Sequence, residues 1–520
     1  MQKTYLGQKG YTIFKDELSN EQTKKIINDL TIKPFVMGSP MSNDQKTYTT
    51  YRESVKKIYV PHYYGIEHFG LPKQYKLPEG DDINVEFAGT LRDYQEPVVN
   101  KFITHCETVK YGGGLLELPC AWGKTSAALY VLSKLKKKTI VIVHKEFLMN
   151  QWIERIQQFL PTARVGKIQG KIIDIEDKDI VIGMLQSLSM KEYPASLFDS
   201  FGLTIIDEVH HISSEVFSNA LFKLVTKNML GLSATMNRKD GTTFVFKLFL
   251  GDVIFKGKRD EQMDVVVRAI DYKVNDEEFN EVKCDYRGNP AYSTMISKLC
   301  AYNNRSEFIL KVLGDMFVEN PKQQVMVLAH NKCLLKYLYD AIEHRKIATV
   351  GYYVGGMKEM ALKETEGKQV VIATYAMASE ALDIKTLTTL IMATPKTDIE
   401  QSVGRILREK HSRPVVVDII DSHDLFQNQW RKRKTFYKKE NYKIIHTTSN
   451  QYLTDTSKWT TILNPKNVGL KKLGISCKGK KMCVEKDDDT DDEEDELCSE
   501  VNDAPKDKYL PGVCLLRLGK

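Results

Sequence analysis

The sequence predicts an α/β protein built on two tandem parallel sheets, and three observations lead there. From residue 87 onward, short runs that are apolar at every position alternate with amphipathic stretches of helical length. That alternation stops near 252 and resumes from 300 to about 448. A run apolar throughout cannot face water on alternate residues, so it is covered on both sides, as the strands of a buried parallel sheet are.

Taken in order, residues 1–85 form an accessory N-terminal domain, with a helix expected over 20–30 and an extended segment at 59–65 ending in a turn. The first block, 86–252, carries expected strands at 114–118, 139–144, 179–184, 203–207 and 229–233, each rich in Leu, Ile and Val. Residues 253–299 are more polar and irregular and read as a linker. The second block, 300–448, repeats the pattern at 324–328, 348–352, 369–374, 387–392 and 415–419. Two such units in tandem leave a cleft between them, where ligands tend to bind. The C-terminal extension, 449–520, contains an acidic, apolar-poor stretch from 477 to 506 that predicts disorder.

Composition bounds the function. A chain of 520 residues is long enough for roughly three to four domains, and 42% hydrophobic with 28% charged residues is a globular balance. No apolar run approaches the ~20 residues that span a bilayer, and the first residues lack the apolar stretch of a signal peptide, so a cytoplasmic, non-membrane protein is expected. Nine cysteines without regular spacing suit a reducing compartment. The net charge is +7, but ten acids against Lys486 alone between Glu485 and Glu496 leave +16 on the remainder. A body this basic suits a polyanion, and a solvated lysine-rich surface explains the charge equally well.

Chemistry concentrates first at Leu118-Pro119-Cys120-Ala121-Trp122-Gly123-Lys124-Thr125. A strand, a tight loop and a helix opening on Gly-Lys-Thr is a phosphate cradle: backbone N–H groups face the anion, Lys124 reaches the terminal phosphates and the Thr125 hydroxyl can ligate Mg²⁺. The loop departs from the usual pattern, with Leu118 where Gly or Ala opens it and Ala121 where Gly is frequent. Taken alone, a chance Gly-Lys-Thr competes on equal terms. A second feature tips the balance: the expected strand at 203–207 runs into Asp207-Glu208-Val209-His210. Carboxylates at the C-terminal end of a buried strand are where parallel sheets present ligand-binding groups. On a strand neighbouring the phosphate loop, Asp207 can hold Mg²⁺ while Glu208 positions and deprotonates a water. A His210–His211 metal site is disfavoured, because consecutive strand side chains point oppositely.

A third feature is Gln401-Ser402-Val403-Gly404-Arg405-Ile406-Leu407-Arg408. Gln401, Arg405 and Arg408 fall at i, i+4 and i+7, on one face of a helix. Arginines projected across the cleft can neutralise charge on a transferred γ-phosphoryl group.

These segments, in this order, resemble superfamily 2 helicase-type ATPases of the DEAH-like kind. They are most similar to the double-stranded-DNA translocase subunit of TFIIH and the transcript-release helicases of large DNA viruses. The resemblance covers about 86–445 and implies two RecA-like domains with ATP and Mg²⁺ between them. It assigns Lys124, Asp207, Glu208, Gln401, Arg405 and Arg408 to catalysis, and Thr125 and Asp207 to Mg²⁺. Arg92, Gln95, Cys120, Ala121, Trp122, Gly123, Ser126 and Asp383 are implied at the nucleotide, with Leu91-Arg92-Asp93-Tyr94-Gln95 matching the adenine-side segment. His210, Ser233 and Thr235 are implied in coupling, the last two within Gly231-Leu232-Ser233-Ala234-Thr235. Trp152, Gln186, Ser187, His330 and Thr374 are implied to track nucleic acid.

The function expected from that resemblance is an ATP-driven translocase, monomeric, on duplex DNA in viral transcription or transcript release, in the host cytoplasm or virion, with transcription machinery as partner. An RNA helicase and a nucleic-acid-binding scaffold with an impaired ATP site are the rivals. Two further features stay open. The run Trp430-Arg431-Lys432-Arg433-Lys434-Thr435-Phe436-Tyr437-Lys438-Lys439 can grip phosphates and stack bases or form a solvated helix face. Cys477, Cys483, Cys498 and Cys514 lack any C-x-x-C pair, so free thiols are expected over zinc.

Overall fold

In the computed structural model the described residues are 3–35, 47–109, 112–119, 122–210, 215–236, 238, 240–257, 264–380, 384–407 and 413–465. Cys120, Ala121, His211, Asp383, Arg408, the acidic run and the four C-terminal cysteines lie outside them. Two eight-stranded sheets dominate. The first has the order Ile172–Ile173, Val165–Gln169, Ile180–Met184, Thr139–Val143, Leu203–Ile206, Asn228–Ser233, Gly113–Glu117, Val253–Lys256. All its pairings are parallel except the one between Val165–Gln169 and Ile172–Ile173. Helices cover both faces. Leu116, Val141, Ile205 and Leu230 look into one core, Leu115, Ile140, Ile206 and Met229 into the other. This is the two-sided burial that the all-apolar runs demanded.

The second sheet repeats the plan in the order Val350–Tyr353, Val370–Thr374, Val325–Ala329, Thr389–Met392, Val415–Asp421, Val266–Tyr272, Lys443–Thr448, Thr460–Leu463. Only its last pairing is antiparallel. The chain is thus α/β with two RecA-like units.

Residues 253–299 correct the expectation of an irregular linker. Val253–Lys256 is the edge strand of the first sheet, beside Gly113–Glu117. Val266–Tyr272 lies inside the second, between Val415–Asp421 and Lys443–Thr448. The first of these strands is only three apolar residues ending on Lys256, and the second is interrupted by Arg268 and Asp271, which masked the pattern. Arg268 reaches out of the sheet to a bidentate pair with Glu319 (2.7 and 2.6 Å).

The N-terminal region forms a separate five-stranded sheet and the helix Asn20–Asp29. Ser19 and Gln22 close that helix with a reciprocal capping box. The segment at 59–65 is a strand, Lys57–Val60, followed by a helix, His62–Phe69, in place of the expected turn. Pro61 precedes that helix, where its fixed φ suits a helix start. The backbone N–H of Gly113 donates to the Tyr63 hydroxyl, so this region docks on the strand that leads to the phosphate loop.

Candidate active site

The strand order brings three chain-distant segments to one edge. Ser233 pairs beside Glu117, and Gly231 beside Ile206. The phosphate loop and the acid pair therefore leave the same end of the sheet, and the strand ending in Ser233 runs between them. The expected direct neighbourhood of loop and acids is corrected accordingly: the segment implied in coupling physically separates them.

The loop is held from outside by Gln95. Its Nε2 donates to the carbonyls of Trp122 (2.9 Å) and Gly123 (3.3 Å), while its Oε1 accepts from the Arg92 N–H (2.9 Å). Gly123 sits at φ +90°, a torsion that favours glycine, and a Cβ there would lie 2.4 Å from Gln95 Nε2 and displace the amide that holds the loop. It caps the helix Lys124–Leu135, whose first turn presents Lys124 and Thr125, and Ser126 Oγ donates back to the Gly123 carbonyl (2.9 Å). Trp122 is buried against Tyr94, ring centroids 5.4 Å apart, with exposed Arg92 beside the tyrosine.

Lys124 Nζ donates to Glu208 Oε1 at 2.9 Å. Adjacent strand residues should point to opposite faces, yet Asp207 and Glu208 serve one site. Glu208 has φ +48°, in the left-handed region, so the chain turns sharply as it leaves the strand. A non-glycine residue in that region carries strain, and such residues gather at functional sites. Asp207 Oδ1 accepts the Glu208 backbone N–H (3.0 Å) and Oδ2 accepts the Trp152 indole N–H (2.9 Å). Burial, then the Glu208 charge, push the Asp207 carboxyl above its ordinary range, with Lys124 opposing.

His210 joins the acid pair to the separating strand. Its Nδ1 lies 3.0 Å from Ser233 Oγ and 3.5 Å from Glu208 Oε2. Burial lowers its pKa more than Glu208 raises it. Ser233 Oγ donates to the Thr235 carbonyl (2.5 Å), and Arg238 donates to the His210 carbonyl while pairing with Asp240. Arg238 went unnoticed in the sequence; an arginine three residues beyond Ser-Ala-Thr was its only signal.

Trp152 needs correction. It was expected on nucleic acid, but it is 2% exposed and spends its only donor on Asp207. Gln186 is exposed and donates to the His144 carbonyl (2.7 Å); half-buried Ser187 accepts the Gly170 N–H (2.9 Å). In the second unit, His330 Nδ1 lies 2.8 Å from Thr394 Oγ1, and Tyr375, next to Thr374, donates to the Thr394 carbonyl (2.5 Å). His330 and Thr374 thus share one end of the second sheet, with Gln186 and Ser187 in the first unit.

The arginine segment also differs from expectation. The helix Glu400–Gly404 tightens to a 3-10 turn at Arg405–Leu407, so Gln401 and Arg405 do not lie along one continuous α-helix. Glu400, at its start, is within electrostatic range of Glu117 at the end of the phosphate-loop strand: its carboxyl is raised by burial, then by Glu440 and Asp398, with Glu117 adding to it from the other unit. The basic-aromatic run lies on the helix Asp424–Lys439, with Trp430 and Tyr437 in the core and Arg433 on Asp418. Those aromatics are unavailable to bases. What remains outside is the solvated charged face.

The family model for the type III restriction enzyme res subunit matches residues 88–238. Relatives include a protein named as an ATP-dependent RNA helicase in Acanthamoeba polyphaga mimivirus, 34% identical over 458 residues, 85% of this chain and 86% of the viral protein. Another, named likewise, comes from African swine fever virus at 28% over 411 residues, 74% and 79% of the two chains. A protein named as a helicase in Invertebrate iridescent virus 6 is 25% identical over 402 residues, 72% and 88%. With that coverage and a phosphate loop, acid pair and Ser-Ala-Thr segment converging on one sheet edge, the chain belongs to the superfamily 2 ATP-dependent helicases, in the branch carried by large DNA viruses.

Proposed function

We propose that this chain hydrolyses ATP–Mg²⁺ at the Lys124–Asp207–Glu208 cluster and uses the hydrolysis to move along nucleic acid. One observation carries the chemistry: Lys124 is parked on Glu208 at 2.9 Å, at the mouth of a helix N-terminus. A lysine within reach of both the acid pair and the helix N-terminus can exchange that carboxylate for a phosphate, freeing Glu208 to orient and deprotonate a water. Asp207 suits a hard cation, because both of its hydrogen-bond donors are neutral N–H groups and, among the described residues, it makes no direct ion pair. Thr125 and Asp207 would hold Mg²⁺, which when bound neutralises charge between the β- and γ-phosphates. Arg405, with Arg408, would complete the site from the second unit.

For the track, duplex DNA comes first, because the Pro119-Cys120-Ala121-Trp122-Gly123-Lys124 loop is similar to that of the TFIIH-like branch. Work in viral transcription or transcript release follows from the same likeness. RNA is the second reading, favoured by the names of the mimivirus and swine fever virus relatives. Phosphate release measured with duplex DNA, single-stranded DNA, duplex RNA and single-stranded RNA separates them. Stimulation by RNA alone removes the DNA reading. Wild-type turnover no faster than that of Glu208→Gln removes the enzyme.

A further inference from the structure

The helix Glu146–Phe159 has two occupied faces. Its inward face carries Leu148, Met149, Trp152 and Ile156 into the first unit's core. Phe147, Asn150 and Glu154 lie on the opposite face, since 3.6 residues per turn places them about half a turn from Trp152. That face meets the second unit. Phe147 packs against the second unit's buried cluster as well as the first's. Asn150 Nδ2 donates to Glu359 Oε2 (2.8 Å), and Lys363 Nζ pairs with Glu154 Oε1 (2.8 Å). One rigid helix therefore touches the acid pair on one side and the other unit on the other.

The inward contact is specific. An indole N–H donates and cannot accept, so its bond to Asp207 Oδ2 serves to hold that carboxylate oxygen in place. Among the described residues the carboxylate's other hydrogen bond comes from the backbone N–H of its own neighbour, Glu208. The outer ion pair is exposed and worth little by itself; Phe147, half-buried between two cores, makes the contact that resists movement.

We propose that Trp152 is a positioning residue for Asp207, and that its helix makes the placement of that carboxylate depend on the contact between the two units. This rests on the ATPase reading above, and it supplies a route between unit movement and hydrolysis distinct from the one through Ser233. Donors of this kind behind metal-binding carboxylates change metal affinity or activity by about 10–100-fold when removed.

The test uses the full chain with Trp152→Phe, and with benzothienylalanine at 152, which keeps the indole outline and lacks the N–H, in case phenylalanine fails to fold. Mn²⁺ titration in the presence of ADP, read by electron paramagnetic resonance, should show about tenfold weaker binding in both variants, with the melting temperature unchanged in the isosteric benzothienylalanine protein and lowered in Trp152→Phe by the lost core volume. The kcat should fall about tenfold with KM for ATP within about twofold. Phe147→Ala should cut nucleic-acid stimulation severalfold in the wild-type background and barely at all beside Trp152→Phe. Unchanged Mn²⁺ affinity and kcat in both 152 variants overturn the positioning. An equal Phe147→Ala effect in both backgrounds overturns the link between units. Weakened Mn²⁺ binding in a protein whose wild type hydrolyses nothing would sink the ATPase reading and keep the positioning.

Discussion

Both sheets place acids at the C-terminal ends of their strands, and the two units treat them oppositely. In the second, Asp421 is held by the Arg305 guanidinium at 2.6 and 2.8 Å, and Arg305 also donates to the Ala393 carbonyl. Asp418, in the middle of the same strand, is likewise held by Arg433 at 2.8 and 2.9 Å and by the Tyr437 hydroxyl. All four charged residues are at most 1% exposed. Each negative charge there has a bidentate positive partner, so nothing is left over for a ligand. In the first unit, among the described residues, Asp207 accepts hydrogen bonds from neutral donors, Glu208 adds a second negative charge beside it, and Lys124 pairs with Glu208 while opposing the charge on Asp207. One architecture therefore yields a closed ion pair or an open site, according to whether an arginine lies under the strand end.

The largest expected effect is on turnover. Glu208→Gln should lower the nucleic-acid-stimulated ATPase rate by about 10²–10⁴-fold, the usual size of a general-base contribution, without lowering the melting temperature. Substituting a closed pair should do the reverse. Arg305→Met leaves a buried carboxylate uncompensated and should destabilise by about 3–5 kcal/mol in urea unfolding, whereas Arg305→Met with Asp421→Leu should recover most of that loss. If Glu208→Gln cost stability and Arg305→Met cost only activity, the contrast between the units would be reversed.

A smaller effect separates the two strand ends by pH. Burial, then Lys396, push the His330 imidazole down to about 4. Its neutral form is kept in the fold while the unfolded chain takes up a proton, so stability is lost as pH falls from about 6.5 toward 4. Its share of the loss should be roughly 2 kcal/mol between pH 7 and 5, and His330→Gln should reduce the difference between urea titrations at the two pH values by about that amount, leaving the part due to the buried His62. The smallest effect sharpens the first unit. The raised Asp207 pKa makes its ionised form unfavourable in the fold, a cost absent below the ordinary carboxylate pKa of about 4 and growing as pH rises above it. Asp207→Asn should therefore melt above wild type at pH 7, with the difference vanishing near pH 4; equal melting at both would mean the charge is already neutralised.

Much of this was legible in the chain. The ten expected strands all occur, within two residues at each end, because a strand buried on both faces must be apolar at every position. The strands at Val253–Lys256 and Val266–Tyr272 were missed because edge position and an outward Arg268 let charge into them. Of the site, Lys124 and the acid pair were readable because phosphate chemistry needs those residue types beside a strand end. The duties of Trp152 and Arg238 were not, since their partners stand 55 and 28 residues away in the chain. Nor were Trp430 and Tyr437, where helical spacing alone cannot say which face is inside.

What the sequence determined alone is the two-sheet α/β plan and the residue types at its strand ends, because periodicity and local chemistry are properties of neighbours along the chain. Only the tertiary structure decided which of those charges are cancelled. Whether Asp207 meets an indole and Asp421 a guanidinium depends on which distant helix packs beneath each strand, and that choice leaves no local trace.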